Sequence, residues 1–142
     1  MEITWKEAAG GNIPLDATIA GHEADGTSLY CCRAKYQNGL HPGKVRPEFG
    51  AANIPYGGAE VKVNPYEVYC GGGKWVDASN GNIPEGAICL GNEKDGTPIF
   101  VARAAYNGGI HPGKIRHGFG AANIPYGNKE VKVANYQVLV EK

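Results

Sequence analysis

Two stretches of the chain set a histidine, a lysine and glycines at a spacing that invites a chemical reading: Gly39-Leu40-His41-Pro42-Gly43-Lys44 and Gly109-Ile110-His111-Pro112-Gly113-Lys114. A phosphate loop is the first candidate, but the glycines stand one residue too close and no Ser or Thr follows the lysine. No helix is expected behind the stretch to lend its dipole. His-Pro-Gly reads instead as a turn that presents Lys44 with His41 beside it, and Lys114 with His111 likewise. The acids kept in both stretches' surroundings are Asp25 and Asp95, with Glu23 and Glu93 two residues earlier. Asp before Gly is also ordinary turn chemistry. Arg33, Arg46, Arg103 and Arg116 suit ion pairs or backbone carbonyls as well as a ligand.

Catalytic constellations are thin. There is no Gly-x-Ser-x-Gly, no paired histidine for zinc and no cysteine near a histidine in both halves. A histidine with an aspartate could move protons, yet a duplicated pair suits repeated binding better. The expectation is a protein that is not an enzyme and uses neither cofactor nor metal.

These residues recur because the whole chain recurs. Tyr36 to Gly57 reads YQNGLHPGKVRPEFGAANIPYG and Tyr106 to Gly127 reads YNGGIHPGKIRHGFGAANIPYG. Trp5 answers to Trp75, Asn12-Ile13-Pro14 to Asn82-Ile83-Pro84, Asp25-Gly26-Thr27 to Asp95-Gly96-Thr97, and Glu60-Val61-Lys62-Val63 to Glu130-Val131-Lys132-Val133. Roughly half of the aligned positions match without a gap, which makes this a tandem repeat. The two copies, residues 3–70 and 75–140, are each too small to hold a generous core alone, so a shared core is expected, the copies either packing against each other or exchanging strands.

Among 142 residues, 22 are glycine and 9 proline, spread in turn-like pairs, which is composition for short strands joined by tight turns. The fold class expected is all-β, two repeats of short antiparallel strands. Ile3 to Ala8 and Ala17 to His22 read as strands, Asp25-Gly26 as a hairpin turn, and Leu29 to Tyr36 as a central strand whose Arg33, like Arg103, needs a partner. The glycine-rich segment after it reads as a long loop, with Ala-Ala-Asn-Ile-Pro-Tyr a packed part of it. Glu60 to Val63 and Tyr66 to Val68 alternate, with a phase change at Asn64-Pro65 that reads as a bulge.

Lys plus Arg equals Asp plus Glu, 14 each, so no basic field exists for nucleic acid or anionic lipid. No apolar run approaches a membrane span, and the first repeat begins too early for a secretory leader. A start in the cytosol is expected, with unconventional release as a route out. Cys31, Cys32, Cys70 and Cys89 face Val101, Ala102, Val140 and Ile19 across the repeat, so free, buried thiols are expected.

Trp, Asn-Ile-Pro, Asp-Gly-Thr, His-Pro-Gly-Lys, Ala-Asn-Ile-Pro-Tyr-Gly and a closing Glu-Val-Lys-Val, twice over, resemble the tandem DM-nine repeat proteins of insects and molluscs. The likeness covers about residues 3 to 140. Bivalve members of that family are mannose-binding lectins of innate immunity. The resemblance implies a metal-independent sugar site in each copy, in which a carboxylate accepts from adjacent hydroxyls and an ammonium donates to them. It carries Asp25 with Lys44 and Asp95 with Lys114, with His41 and His111 as neighbours and Glu23 and Glu93 as alternative acids. Copy differences at Asn38 against Gly108, Pro47 against His117 and Glu48 against Gly118 imply unequal sites. The partners implied are mannosylated glycans on microbial surfaces, with a homodimer adding avidity. The rival readings are an interaction module without sugar binding and a carbohydrate-active enzyme with carboxylates at glycosidase spacing.

Overall fold

The computed structural model describes residues 3–141 and is all-β, as expected. The first copy forms β1 (Trp5–Ala8), β2 (Ile19–His22), β3 (Ser28–Tyr36), β4 (Gly39–Val45), β5 (Ala52–Tyr56), β6 (Ala59–Val63) and β7 (Tyr66–Tyr69). The second forms β8 (Lys74–Ser79), β9 (Cys89–Asn92), β10 (Pro98–Tyr106), β11 (Gly109–Ile115), β12 (Ala122–Tyr126), β13 (Lys129–Val133) and β14 (Asn135–Val140). Among the described residues one 3-10 turn, Pro47–Phe49, interrupts the strands.

The nine-residue β3 is the centre of its copy, pairing with β2, β4 and β7. Asp25 closes the β2–β3 hairpin: its Oδ1 accepts from the Thr27 backbone N–H at 2.9 Å while Glu23 N–H reaches the Thr27 carbonyl at 2.8 Å. The expected long loop is in fact two further strands. Gln37 and Asn38 both take positive φ, as do Asn107 and Gly108, which is the backbone of a two-residue hairpin turn into β4 and β11. Gly57-Gly58 and Gly127-Asn128 do the same between β5 and β6 and between β12 and β13. His-Pro-Gly is therefore strand, not turn, and Ala-Asn-Ile-Pro-Tyr is the strand β5. Nor is there a bulge at Asn64-Pro65: β6 ends there and β7 begins, pairing with β3 and β1 instead of β5.

Strand pairing between the copies joins them, and since each bridging strand also pairs within its own copy, the core is shared without an exchange of strands. His22 of β2 pairs with Ile110 of β11, Asn92 of β9 with Leu40 of β4, and Ala59 of β6 with Lys129 of β13. Gly21 and Gly91 permit the first two contacts, since a Cβ there would stand 2.1 Å from the Ile110 or Leu40 carbonyl oxygen. Each copy keeps an apolar cluster of its own, and a third is shared: Ala20, Cys31 and Tyr69 pack with Ile88, Leu90, Val101 and Leu139. All four thiols are free, but only Cys31 and Cys32 are fully buried, with Cys70 half-buried and Cys89 exposed. Burial pushes the Cys31 thiol up to about 12.

Arg33 and Arg103 find structural partners. The Arg33 Nε–H donates to Glu67 Oε1 at 2.8 Å and its Nη1 to the Leu90 carbonyl of the other copy at 3.2 Å, with the guanidinium 4.1 Å above the Trp5 ring. Among the described residues no helix is long and apolar enough to cross a membrane.

Candidate functional site

In β4 a spacing of three sends His41 and Lys44 to opposite faces of an extended strand. They cannot be neighbours, as expected of a turn, and each instead meets its counterpart from the other copy. Lys44 Nζ lies 3.0 Å from His111 Nδ1, and Lys114 Nζ 3.1 Å from His41 Nδ1. All four residues are at most 2% exposed. An ammonium only donates, so each imidazole accepts through Nδ1 and carries its proton on Nε2. For His41 that Nε2 has no well-formed hydrogen bond. Burial first, and the facing ammonium second, hold both histidines down at about 4. They are neutral.

Aromatic rings from both copies cover each ammonium. Lys44 Nζ is 5.7 Å from the centroid of Phe49 and 5.1 Å from that of Tyr126; Lys114 Nζ is 5.8 Å from Phe119 and 5.2 Å from Tyr56. This is cation–π distance. The tyrosines are held edge-on against the histidines, Tyr56 on His41 at 5.0 Å and Tyr126 on His111 at 4.9 Å.

Burial lowers the Lys44 ammonium below its ordinary value, opposed by the charges of Glu60 and Glu23; the same burial takes Lys114 to about 8 against Glu130 and Glu93. The acids that act on these lysines are glutamates. Glu23 Oε2 accepts from Arg46 Nε–H at 2.9 Å, and Glu93 Oε2 from Arg116 at 2.6 Å. Glu48 adds a second contact to Arg46 at 2.7 Å, which Gly118 cannot supply. Asp25 and Asp95 are exposed and committed to their turns, where hydrogen bonds from Thr27 and Thr97 hold them below the usual carboxylate range. Asp95 nevertheless lines an open groove of about 480 Å³ with Glu93, Thr97 and Arg116 of its own copy and Tyr56 of the other. Asn38 lies in the β3–β4 turn, away from the ammonium, on a separate depression with Asn92.

Several residues around the lysines escaped the sequence reading. Asn53 is the register partner of Lys44 and donates to Glu60 Oε2 at 3.2 Å, while Lys62 Nζ reaches its Oδ1 at 3.3 Å. In the other copy Asn123 donates to Glu130 at 3.1 Å, but its Oδ1 is buried without a partner. Glu60 Oε1 accepts from the Asn128 N–H and Glu130 Oε1 from the Gly58 N–H, at 3.0 and 2.9 Å, tying the copies at this point. The available signal was identity in both copies, which Phe49, Asn53, Glu60 and Lys62 all possess.

Each lysine–histidine pair is thus buried and assembled from two copies, with aromatic rings from both around the ammonium and the charges of two glutamates acting on it. Among the described residues no group of three or more His, Cys, Asp or Glu is placed to hold a metal ion. The profile of the family described as DM9 repeat matches residues 1–63 and 30–133. No curated protein matches the chain.

Proposed function

The chain belongs to the DM9 repeat family, and on that premise we propose that it is a metal-independent lectin, without catalytic activity, that binds mannose or mannosylated glycans at two sites. The observation that carries the proposal is the reciprocal pair, Lys44 with His111 and Lys114 with His41, each ammonium walled by rings from both copies. A hexose presents vicinal hydroxyls that both donate and accept, and charge-assisted bonds to such groups are about twice as strong as neutral ones. In this reading Lys44 and Lys114 donate to the sugar. Glu23 and Glu93, which pair with Arg46 and Arg116 and whose charges act on the ammoniums, accept from it in this reading, with Asp25 and Asp95 contributing from their turns. Choice between mannose and glucose rests on the 2-hydroxyl, because the wrong epimer leaves a polar group unpaired.

One site binds weakly, and two per chain, doubled in a homodimer, raise avidity on a mannosylated microbial surface. That is the role in innate recognition we assign. The test is calorimetric titration with mannose, with glucose and galactose as controls and EDTA throughout, on the wild type and on Lys44→Ala and Lys114→Ala. Selective mannose heat lost stepwise with the two substitutions is expected. Absence of heat with every sugar would give first place to a protein-interaction module.

A further inference from the structure

We propose that the second copy carries a separate site for a uronic acid, in a groove where Arg103 lacks the carboxylate partner that its counterpart Arg33 possesses. The groove measures about 610 Å³ and is lined by Asp77, Ser79, Arg103, Ile110, Asn135 and Gln137, among others. That volume lies within the range of small-molecule sites, roughly 300 to 1,000 Å³. The matching depression in the first copy holds about 200 Å³. Of the positions at which the two linings differ, two change space and charge most: Lys35 is replaced by Ala105, which opens space, and Glu67 by Gln137, which removes a charge.

In the first copy the guanidinium is neutralised by the 2.8 Å ion pair to Glu67. In the second, Gln137 keeps the geometry without the charge, accepting from Arg103 Nε–H at 2.8 Å through Oε1. Nη1 donates to the Ala20 carbonyl of the other copy at 3.1 Å, and the guanidinium lies 4.3 Å from the Trp75 centroid. The cation is therefore held rigidly, and Nη2 has no acceptor among the described residues. With Nε and Nη1 already donating, the immobilised guanidinium leaves Nη2 to form a charge-assisted hydrogen bond to a ligand carboxylate.

A second charge refines the ligand. Gln137 Nε2–H donates to Asp77 Oδ1 at 3.0 Å, which places a carboxylate in the same groove. Asp77 repels a compact anion such as sulfate but accepts readily from hydroxyls. The ligand that satisfies both charges has a carboxylate at one end and hydroxyl donors at the other, with the apolar wall of Ala104, Ala105 and Ile110 under the ring's C–H face. A hexuronate meets that description. No residue of this groove belongs to either lysine–histidine site, so the inference stands apart from the mannose reading.

The experiment is titration of the full chain at low salt with sodium glucuronate, with glucose as the uncharged control, on the wild type, on Gln137→Glu and on the Lys44→Ala, Lys114→Ala double variant. Gln137→Glu recreates the pair already present at Arg33–Glu67, so the fold accommodates it. Glucuronate is expected to bind the wild type at least tenfold more tightly than glucose, to lose at least tenfold in Gln137→Glu, and to be unchanged in the double lysine variant. Mannose binding is expected to be unaffected by Gln137→Glu. Glucuronate binding no better than glucose, or equal in Gln137→Glu and the wild type, overturns the proposal, as does its loss in the lysine variant.

Discussion

Lys44 and His111, 67 positions apart in sequence, stand 3.0 Å apart in space with the imidazole as acceptor. The same relation joins Lys114 to His41 across the seam between the copies. Pairing between the copies thus does more than complete a core: it assembles both lysine–histidine pairs.

Acid should weaken the fold through the two histidines. Their folded values lie near 4, below the ordinary value of about 6.5. Between those values the unfolded chain binds protons that the fold refuses, so stability is lost as pH falls from about 6.5 to about 4. The loss is up to roughly 3 kcal/mol per histidine. Urea midpoints measured at pH 7 and pH 4.5 check this, and the His41→Gln, His111→Gln variant should show a flatter profile. A wild-type midpoint independent of pH would contradict it.

Alkali should weaken sugar binding at the second copy's site. With Lys114 at about 8, its ammonium is lost as pH rises from 7 to 9, and a charge-assisted donor becomes a neutral one. Mannose affinity measured in Lys44→Ala, which isolates that site, should fall severalfold over this range. In the same range the fold itself gains slightly, because the unfolded lysine keeps its proton to about 10.4. Constant affinity would remove Lys114 from the contact.

The seam glycines should be intolerant. Gly21→Ala drives a methyl to 2.1 Å from the Ile110 carbonyl, against backbone that cannot step aside. A cost of about 2–4 kcal/mol is expected, of the size found for overpacking and broken pairing. Gly26→Ala, at φ +90° in open space, meets only backbone strain, roughly 1–2 kcal/mol. Chemical denaturation of both variants decides the ranking.

A single copy should not fold as a monomer. Residues 1–70 alone contribute Ala20, Cys31 and Tyr69 to the shared cluster and lack Ile88, Leu90, Val101 and Leu139. That fragment is expected to be unfolded or to dimerise, and to gain sheet structure when mixed with residues 71–142. Size exclusion with circular dichroism tests it, the contrary result being a folded monomer.

What could be read from sequence was what local chemistry decides. Asp25-Gly26 set a hairpin, the apolar run of β10 set a central strand, and the small size of each copy demanded a common core. β4 and β5 were hidden because Gly39, Pro42, Gly43 and Pro55 depress strand propensity. Yet Gly43 is required there, since a Cβ would meet the Asn53 carbonyl oxygen at 2.2 Å. The pair Asn107-Gly108 carried the hairpin signal. At Asn64-Pro65 the change of phase was real, but it marks a change of partner strand and not an extra residue. The pairing of Lys44 with His111 rests on tertiary register, which no local pattern encodes. That Glu23 and not Asp25 accepts from Arg46 depends on which side chain turns toward the guanidinium and which toward its own hairpin.

The borrowed rim also governs how variation acts on this chain. A change at His111 or Tyr126 lies in the second repeat but alters the surroundings of Lys44 in the first. A survey of variants scored repeat by repeat would therefore credit its effects to the wrong half. The unit on which variation acts is the crossed pair, and drift in either repeat reaches both pairs at once.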